Sequence, residues 1–219
     1  MSVLVLVGWS ATAVGTVLGI PQLLRTARTR NVEGLSLVAW QAILAVNLGW
    51  AAHGLRIGQP PQYVASILSL FATVPILHIL SRELGRRSLV TFLGGLGLAA
   101  AMIGVDQLLG SAAYGVFAIF PGVLAIAGQS VQLVRAPDVR GVSTASLLLG
   151  ALNQTLWAIW SVLVGDSGSM IAVLTTSVLV AFNVVWYFMR RLGLRAFFAP
   201  EAASGLLVSS PAGVVTEGV

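Results

Sequence analysis

Seven apolar stretches alternate with short polar turns along the chain, at approximately residues 3–24, 35–55, 61–81, 88–105, 111–134, 142–164 and 169–189. At about 1.5 Å of rise per helical residue, each can cross a hydrocarbon core of about 30 Å. The pattern predicts an all-α integral membrane protein with seven transmembrane helices. Residues Met1 to Trp9 carry no basic run, and no small-residue cleavage pattern closes the first stretch, so it is expected to be a retained helix. Beyond Arg195 the chain turns to Ala, Ser, Gly, Val and Pro without helical periodicity, and residues 196–219 are expected to form a disordered tail.

The stretches repeat. Val32-Glu33-Gly34-Leu35-Ser36 returns as Val139-Arg140-Gly141-Val142-Ser143, 107 positions later, each time between an Arg-rich turn and a helix bearing an amide and a Trp. Sliding Gly8–Arg82 onto Gly115–Met189 without a gap also pairs Gln22 with Gln129, Arg28 with Arg135, Trp50 with Trp157 and Gly58 with Gly165. Self-similarity at a fixed offset marks a duplicated structural unit. Each unit holds three helices, an odd number, so a directly fused copy would be inverted in the membrane. The fourth stretch has no partner at this offset and restores the orientation. The expected organisation is a three-helix repeat over 1–87, a linker transmembrane helix over 88–110 and a second, parallel three-helix repeat over 111–195. In transporters built from parallel repeats the substrate site lies near the midplane, between the repeats.

Composition and charge narrow this reading. The chain is 57% hydrophobic and 9% charged, where soluble domains carry about a quarter charged residues. A pI near 11.1 invites a nucleic-acid reading, but the placement of the charge argues against it. Eleven of the twelve basic residues, all Arg, fall in alternate turns, around 25–30, 82–87, 135–140 and 190–195, and Arg56 stands alone on the other side. Positive charge at helix ends marks the cytoplasmic face. The expectation is a multi-pass protein of the cell membrane with its N-terminus outside and its C-terminus in the cytoplasm, and Arg used to the exclusion of Lys points to a bacterial source. With no cysteine, thiolate metal sites and cysteine nucleophiles are excluded.

Candidate chemistry concentrates on two helices. Asn47 with Trp50 (i, i+3) and Asn153 with Trp157 (i, i+4) each set an amide and an indole on one helical face. A flat apolar ring beside an amide suits a small solute with a hydrophobic face and polar edges. The competing reading makes these Trps part of an aromatic belt and the amides interhelical bonds. Trp9, Trp40, Trp160 and Trp186 are assigned to belt or packing. Ser66, Ser69 and Thr73 form a hydroxyl stripe on the third helix, with Thr176 opposite Ser69 in the repeat. Pro21 removes a helical hydrogen bond near the inner end of the first helix, and its repeat partner is Gly128; both are candidate hinges. No carboxylate falls deep in a span, the default sign of ion coupling, so transport without coupling is expected. His53 and His78 are predicted on opposite sides, no Ser, His and acid set shares one depth, and no phosphate loop is present; no enzyme, metal or cofactor is expected.

Pro21-Gln22, the turn from Arg30 to Ser36, Gly49-Trp50 before Pro60-Pro61, and Leu152-Asn153 with Trp157 before Asp166 and Met170-Ile171-Ala172 together resemble the PQ-loop superfamily, and within it the SWEET and SemiSWEET sugar facilitators. The resemblance covers roughly residues 8–190. It implies that a Trp on the second helix of each repeat and an Asn sixteen residues later on the third line a sugar pocket. Here that spacing runs from Trp50 to Ser66 and from Trp157 to Val173, so neither third-helix amide is present. The small polar position three before the Trp is Asn47 in one repeat and Gln154 in the other. The implied function is facilitated transport of a small neutral solute, with sugar favoured, by alternating access around Asn47, Trp50, Ser66, Asn153, Trp157 and Val173, with Gln154 as a further candidate. A PQ-loop transporter of an amino acid or other metabolite, and a scaffold or receptor without transport, are the alternatives. The expected partners are the solute and the lipid bilayer, with no nucleic acid.

Overall fold

The computed structural model describes residues 2–136, 138–139 and 142–197. Arg140 and Gly141 of the second repeated turn, and the predicted tail from residue 198 onward, lie outside the described residues. Those described form seven helices: α1 (Val3–Thr29), α2 (Leu37–Arg56), α3 (Pro60–Glu83), α4 (Ser88–Leu109), α5 (Ser111–Arg135), α6 (Thr144–Val164) and α7 (Ser167–Arg191). Each coincides with a predicted stretch to within a few residues. The one larger difference is α1, which continues through Thr29 because Arg25, Thr26 and Arg28 prolong the helix past the end of the apolar run.

Six of the seven helices are long and apolar enough by themselves to cross a membrane. The exception is α2, whose 20 residues include Gln41, Asn47, His53 and Arg56. Its position accounts for those polar groups. It packs against α3, α4 and α5, so much of its surface meets protein rather than lipid. Ala42, Leu44, Ala45, Gly49, Ala51, His53 and Gly54 are all buried.

The repeated turns have a local cause. Gly34 sits at φ 80° between Val32 and Leu35, and the Leu35 N–H donates to the Val32 carbonyl at 3.0 Å. A left-handed third position of this kind favours glycine. In the second copy the Val142 N–H donates to the Val139 carbonyl, also at 3.0 Å. The serine closing each turn caps the next helix: Ser36 accepts from the Ala39 N–H and Ser143 from the Ser146 N–H, both at 3.3 Å. A serine cap satisfies one of the unpaired donors at a helix start and is worth about 1 kcal/mol.

Within each half the third helix lies between the other two: α3 against α1 and α2, and α7 against α5 and α6. The halves meet where α1 packs on α6 and α2 on α5. The 107-residue offset exchanges these two contacts, as it must when parallel repeats share an approximate two-fold axis along the membrane normal. The linker α4 leans on α2, α3 and α5. At the Arg-poor end α5 and α7 touch backbone to backbone, since a Cβ on Gly168 would lie 2.5 Å from the Ser111 carbonyl oxygen.

Candidate functional site

Between the two halves lies a cavity of about 320 Å³. Its wall is largely built from residues that the repeat offset pairs: Gly15 with Gly122, Val46 with Asn153, Asn47 with Gln154, Trp50 with Trp157, Gln62 with Ser169, Ala65 with Ala172, Ser66 with Val173 and Ser69 with Thr176. The second and third helices of each repeat thus present matching faces to one space. Asn47, Trp50, Ser66, Asn153, Trp157 and Val173 all line it, as does Gln154. Pro21 and Gly128 do not; they are exposed on α1 and α5, both of which run through these positions as unbroken helices.

The amides divide their groups between packing and cavity. Asn47 donates through Nδ2 to the Thr73 hydroxyl at 3.0 Å, tying α2 to α3. Its repeat partner Gln154 donates to the Val173 carbonyl and the Thr176 hydroxyl at 3.0 Å and to the Ser177 hydroxyl at 3.1 Å, tying α6 to α7. The amide nitrogens are therefore interhelical bonds, while both residues keep a place on the cavity wall. The hydroxyls of Ser69, Thr73 and Thr176 donate back to the carbonyls of Ala65, Ser69 and Ala172 in their own helices. By contrast Gln62 Oε1, Asn153 Oδ1 and Ser169 Oγ are buried without a hydrogen-bond partner among the described residues, and all three side chains line the cavity. Unpaired buried polar atoms are costly, so atoms of this kind around one space suit a polar ligand.

The two indoles rest on different supports. Trp157 meets Trp160 edge to face at 5.2 Å, and Trp160, assigned from sequence to belt or packing, is fully buried and reaches the cavity. Trp50 meets the Tyr114 ring at 4.9 Å and 90°, and the His53 ring at 5.5 Å. His53, at the repeat position of Trp160, stacks on Tyr114 at 4.5 Å and is fully buried.

His53 belongs to a charged cluster at the Arg-poor end that sequence reasoning missed. Its Nδ1 lies 3.0 Å from both oxygens of Asp106, in the last turn of α4, and its Nε2 lies 2.9 Å from Asp166, the N-cap of α7. Arg56 forks onto Asp106 through Nε at 2.8 Å and a terminal nitrogen at 2.7 Å. Asp166 also accepts from the Ser111 hydroxyl and, at 2.7 Å, from the Ser169 N–H. Burial works to raise the Asp166 carboxyl, but the bonds from His53, Ser111 and Ser169 outweigh it and hold the group well below the usual carboxylate range. Three sequence-distant segments meet here, so spacing along the chain gave no sign of the cluster; the available hint was His53 one helical turn beyond Trp50. Gln62 and Ser169 carried a clearer signal, as polar residues at matched repeat positions inside apolar helices.

Residues 3–54 match the family described as PQ loop repeat. Over 79 residues the chain is 34% identical to a protein named sugar transporter SemiSWEET from Escherichia coli (strain UMEA 3162-1), a match covering 36% of this chain and 89% of that one. The matched length is close to that of one three-helix unit here. No solved structure matches the chain significantly.

Proposed function

The chain belongs to the PQ-loop family, in its SWEET and SemiSWEET branch, and from that premise we propose that it is a facilitative membrane transporter of a small neutral solute, a sugar first of all. The observation that carries this reading is the cavity between the halves, walled by matched pairs from both repeats with an indole on each side. A space on the axis between two parallel bundles is reached alternately from either face when the bundles rock against each other. In this reading the units are residues 1–87 and 111–195, with 88–110 as linker. Asn47, Trp50, Ser66, Asn153, Trp157 and Val173 contact the solute with Gln154, Gln62 and Ser169. Pro21 and Gly128 loosen the inner ends of α1 and α5.

The Arg distribution supports a cell-membrane orientation with the N-terminus outside, which makes the Arg-poor end the outer one. There the His53–Asp166 bond joins α2 to α7 across the two halves, as expected of a conformation closed to the outside. A transporter of an amino acid or other metabolite is the second reading. The observation favouring it is Ser66 and Val173 at positions where the sugar facilitators carry amides. The polar wall of the cavity disfavours a scaffold without transport. Counterflow in proteoliposomes across mono- and disaccharides, polyols and amino acids tests all of these. Exchange of a sugar is expected, exchange of amino acids alone selects the second reading, and no exchange by folded protein removes transport altogether.

A further inference from the structure

The charged cluster at the Arg-poor end abuts the pocket wall through Trp50, which meets the His53 ring, and through Ser169, whose N–H donates to Asp166. Its hydrogens can be counted. An ionised carboxylate only accepts, and a neutral imidazole carries a single N–H. Both ring nitrogens of His53 face carboxylate oxygens, at 3.0 and 2.9 Å. Donation from both ring nitrogens to those oxygens takes one proton more than a neutral histidine with two carboxylates. Charge leads to the same count. With that proton, Arg56 and His53 balance Asp106 and Asp166; without it a net negative charge remains in a site where His53 and Asp106 are 0% and 2% exposed, which is costly.

The groups facing His53 from every side are Asp106 from α4, Asp166 from the start of α7, Tyr114 from α5, and Arg56 from its own helix with a terminal nitrogen 3.4 Å from Nδ1. Two anions oppose one cation, and a phenol is neutral near pH 7. The partners of His53 also differ in where they belong. Arg56 is on α2 and Asp106 on α4, which packs along α2, whereas Asp166 belongs to the second half. Rocking the halves apart breaks the Nε2 contact and spares the Nδ1 contact.

We propose that the His53, Asp106 and Asp166 cluster is a proton-binding site linked to the transport cycle: the proton is held while the outer end is closed and is released outside when Asp166 parts from His53. The inference rests on the alternating access proposed above. The sign follows from linkage. The closed state binds one proton more than the open state, so acid outside favours closure and alkali favours opening. Histidine is the side chain that ordinarily changes charge between about pH 5 and 8, and Asp166, held low by its hydrogen bonds, stays ionised across that window.

The chain contains no cysteine, which permits a test independent of any solute. Ala65→Cys places a thiol on the cavity wall, and Leu108→Cys, at a position 84% exposed near the same end, reports the intrinsic reactivity of a thiol. Intact cells producing the full chain are labelled with a membrane-impermeant maleimide between about pH 5.5 and 8. The labelling rate of the Ala65→Cys variant relative to the Leu108→Cys variant should rise about fivefold or more with pH, since one linked proton allows up to about tenfold per pH unit. His53→Gln should abolish the rise. Asp106→Asn, which removes one anion, should move it to lower pH. A flat ratio, whether high or low, overturns the proposal, as does an unchanged rise in both variants of the cluster. Labelling that follows pH in protein that exchanges no solute would leave the proton site standing and remove the transport reading.

Discussion

At the two positions one helical turn beyond the cavity tryptophans, the repeats have diverged while their frames have not. Trp50 is followed by His53 and Trp157 by Trp160, and both pairs meet edge to face, at 5.5 and 5.2 Å. In the second half the indole of Trp160 lies against Gly8 of α1, where a Cβ would come within 2.6 Å of its ring nitrogen. In the first half the imidazole meets two acids instead. The wall facing the cavity is thus nearly symmetric, and the layer behind it is not. The Arg-rich ends differ too. Trp186 and Arg190 of α7 donate to the Leu133 carbonyl at the end of α5, at 3.1 and 3.2 Å. Ile79 and Glu83 occupy the matching places on α3, and neither side chain can donate to a carbonyl at neutral pH. The two copies match where they enclose the cavity and differ in how each end is fastened.

The comparison can be broken most forcefully at the indoles. Trp50→Ala and Trp157→Ala should each raise the solute concentration for half-maximal counterflow by about tenfold or more, the equivalent of losing an aromatic contact worth about 1.5 kcal/mol or more. A large effect at one and none at the other would show that the pocket does not use its symmetry. Next in size, Gly168→Ala should destabilise by about 1–3 kcal/mol in a thermal melt in detergent, because the added methyl meets the Ser111 backbone, whereas Gly128→Ala, with open space around it, should be near neutral for stability. Arg190→Ala should lower stability by about 1–2 kcal/mol, through loss of charged hydrogen bonds to the carbonyls at the end of α5. The smallest pair sharpens the symmetric side: Ser36→Ala and Ser143→Ala should each cost about 1 kcal/mol, and nearly equally, in the same melt.

Much of the fold was legible because a bilayer imposes a length, and seven apolar stretches of that length leave few alternatives. The repeat was legible because Gly34 serves a tight turn, and Ser36 and its copy Ser143 each cap a helix, local tasks that tolerate few residues. The pocket residues followed from the register of Trp50 against Trp157, since equivalent positions in parallel repeats face one axis. Trp160, assigned to belt or packing, is packed against Trp157 and Gly8, and its additional place on the cavity wall had no such signal. Its repeat partner is a histidine, so the symmetry that singled out Trp50 and Trp157 gave it no support. The stretch at 35–55 was expected to span, and α3, α4 and α5 account for the polar side chains it carries, because they cover much of α2.

The amino-acid sequence was enough for the number of helices, the duplication, the odd linker and the gathering of Arg in alternate turns, because each depends on hydrophobic length, on local backbone chemistry or on counting. Only the tertiary structure decided which helices touch, and with it the meeting of His53, Asp106 and Asp166 from three separate segments. A hydrogen bond requires atoms within about 3 Å of each other, and no periodicity along a chain specifies that distance between helices whose packing order is not yet known.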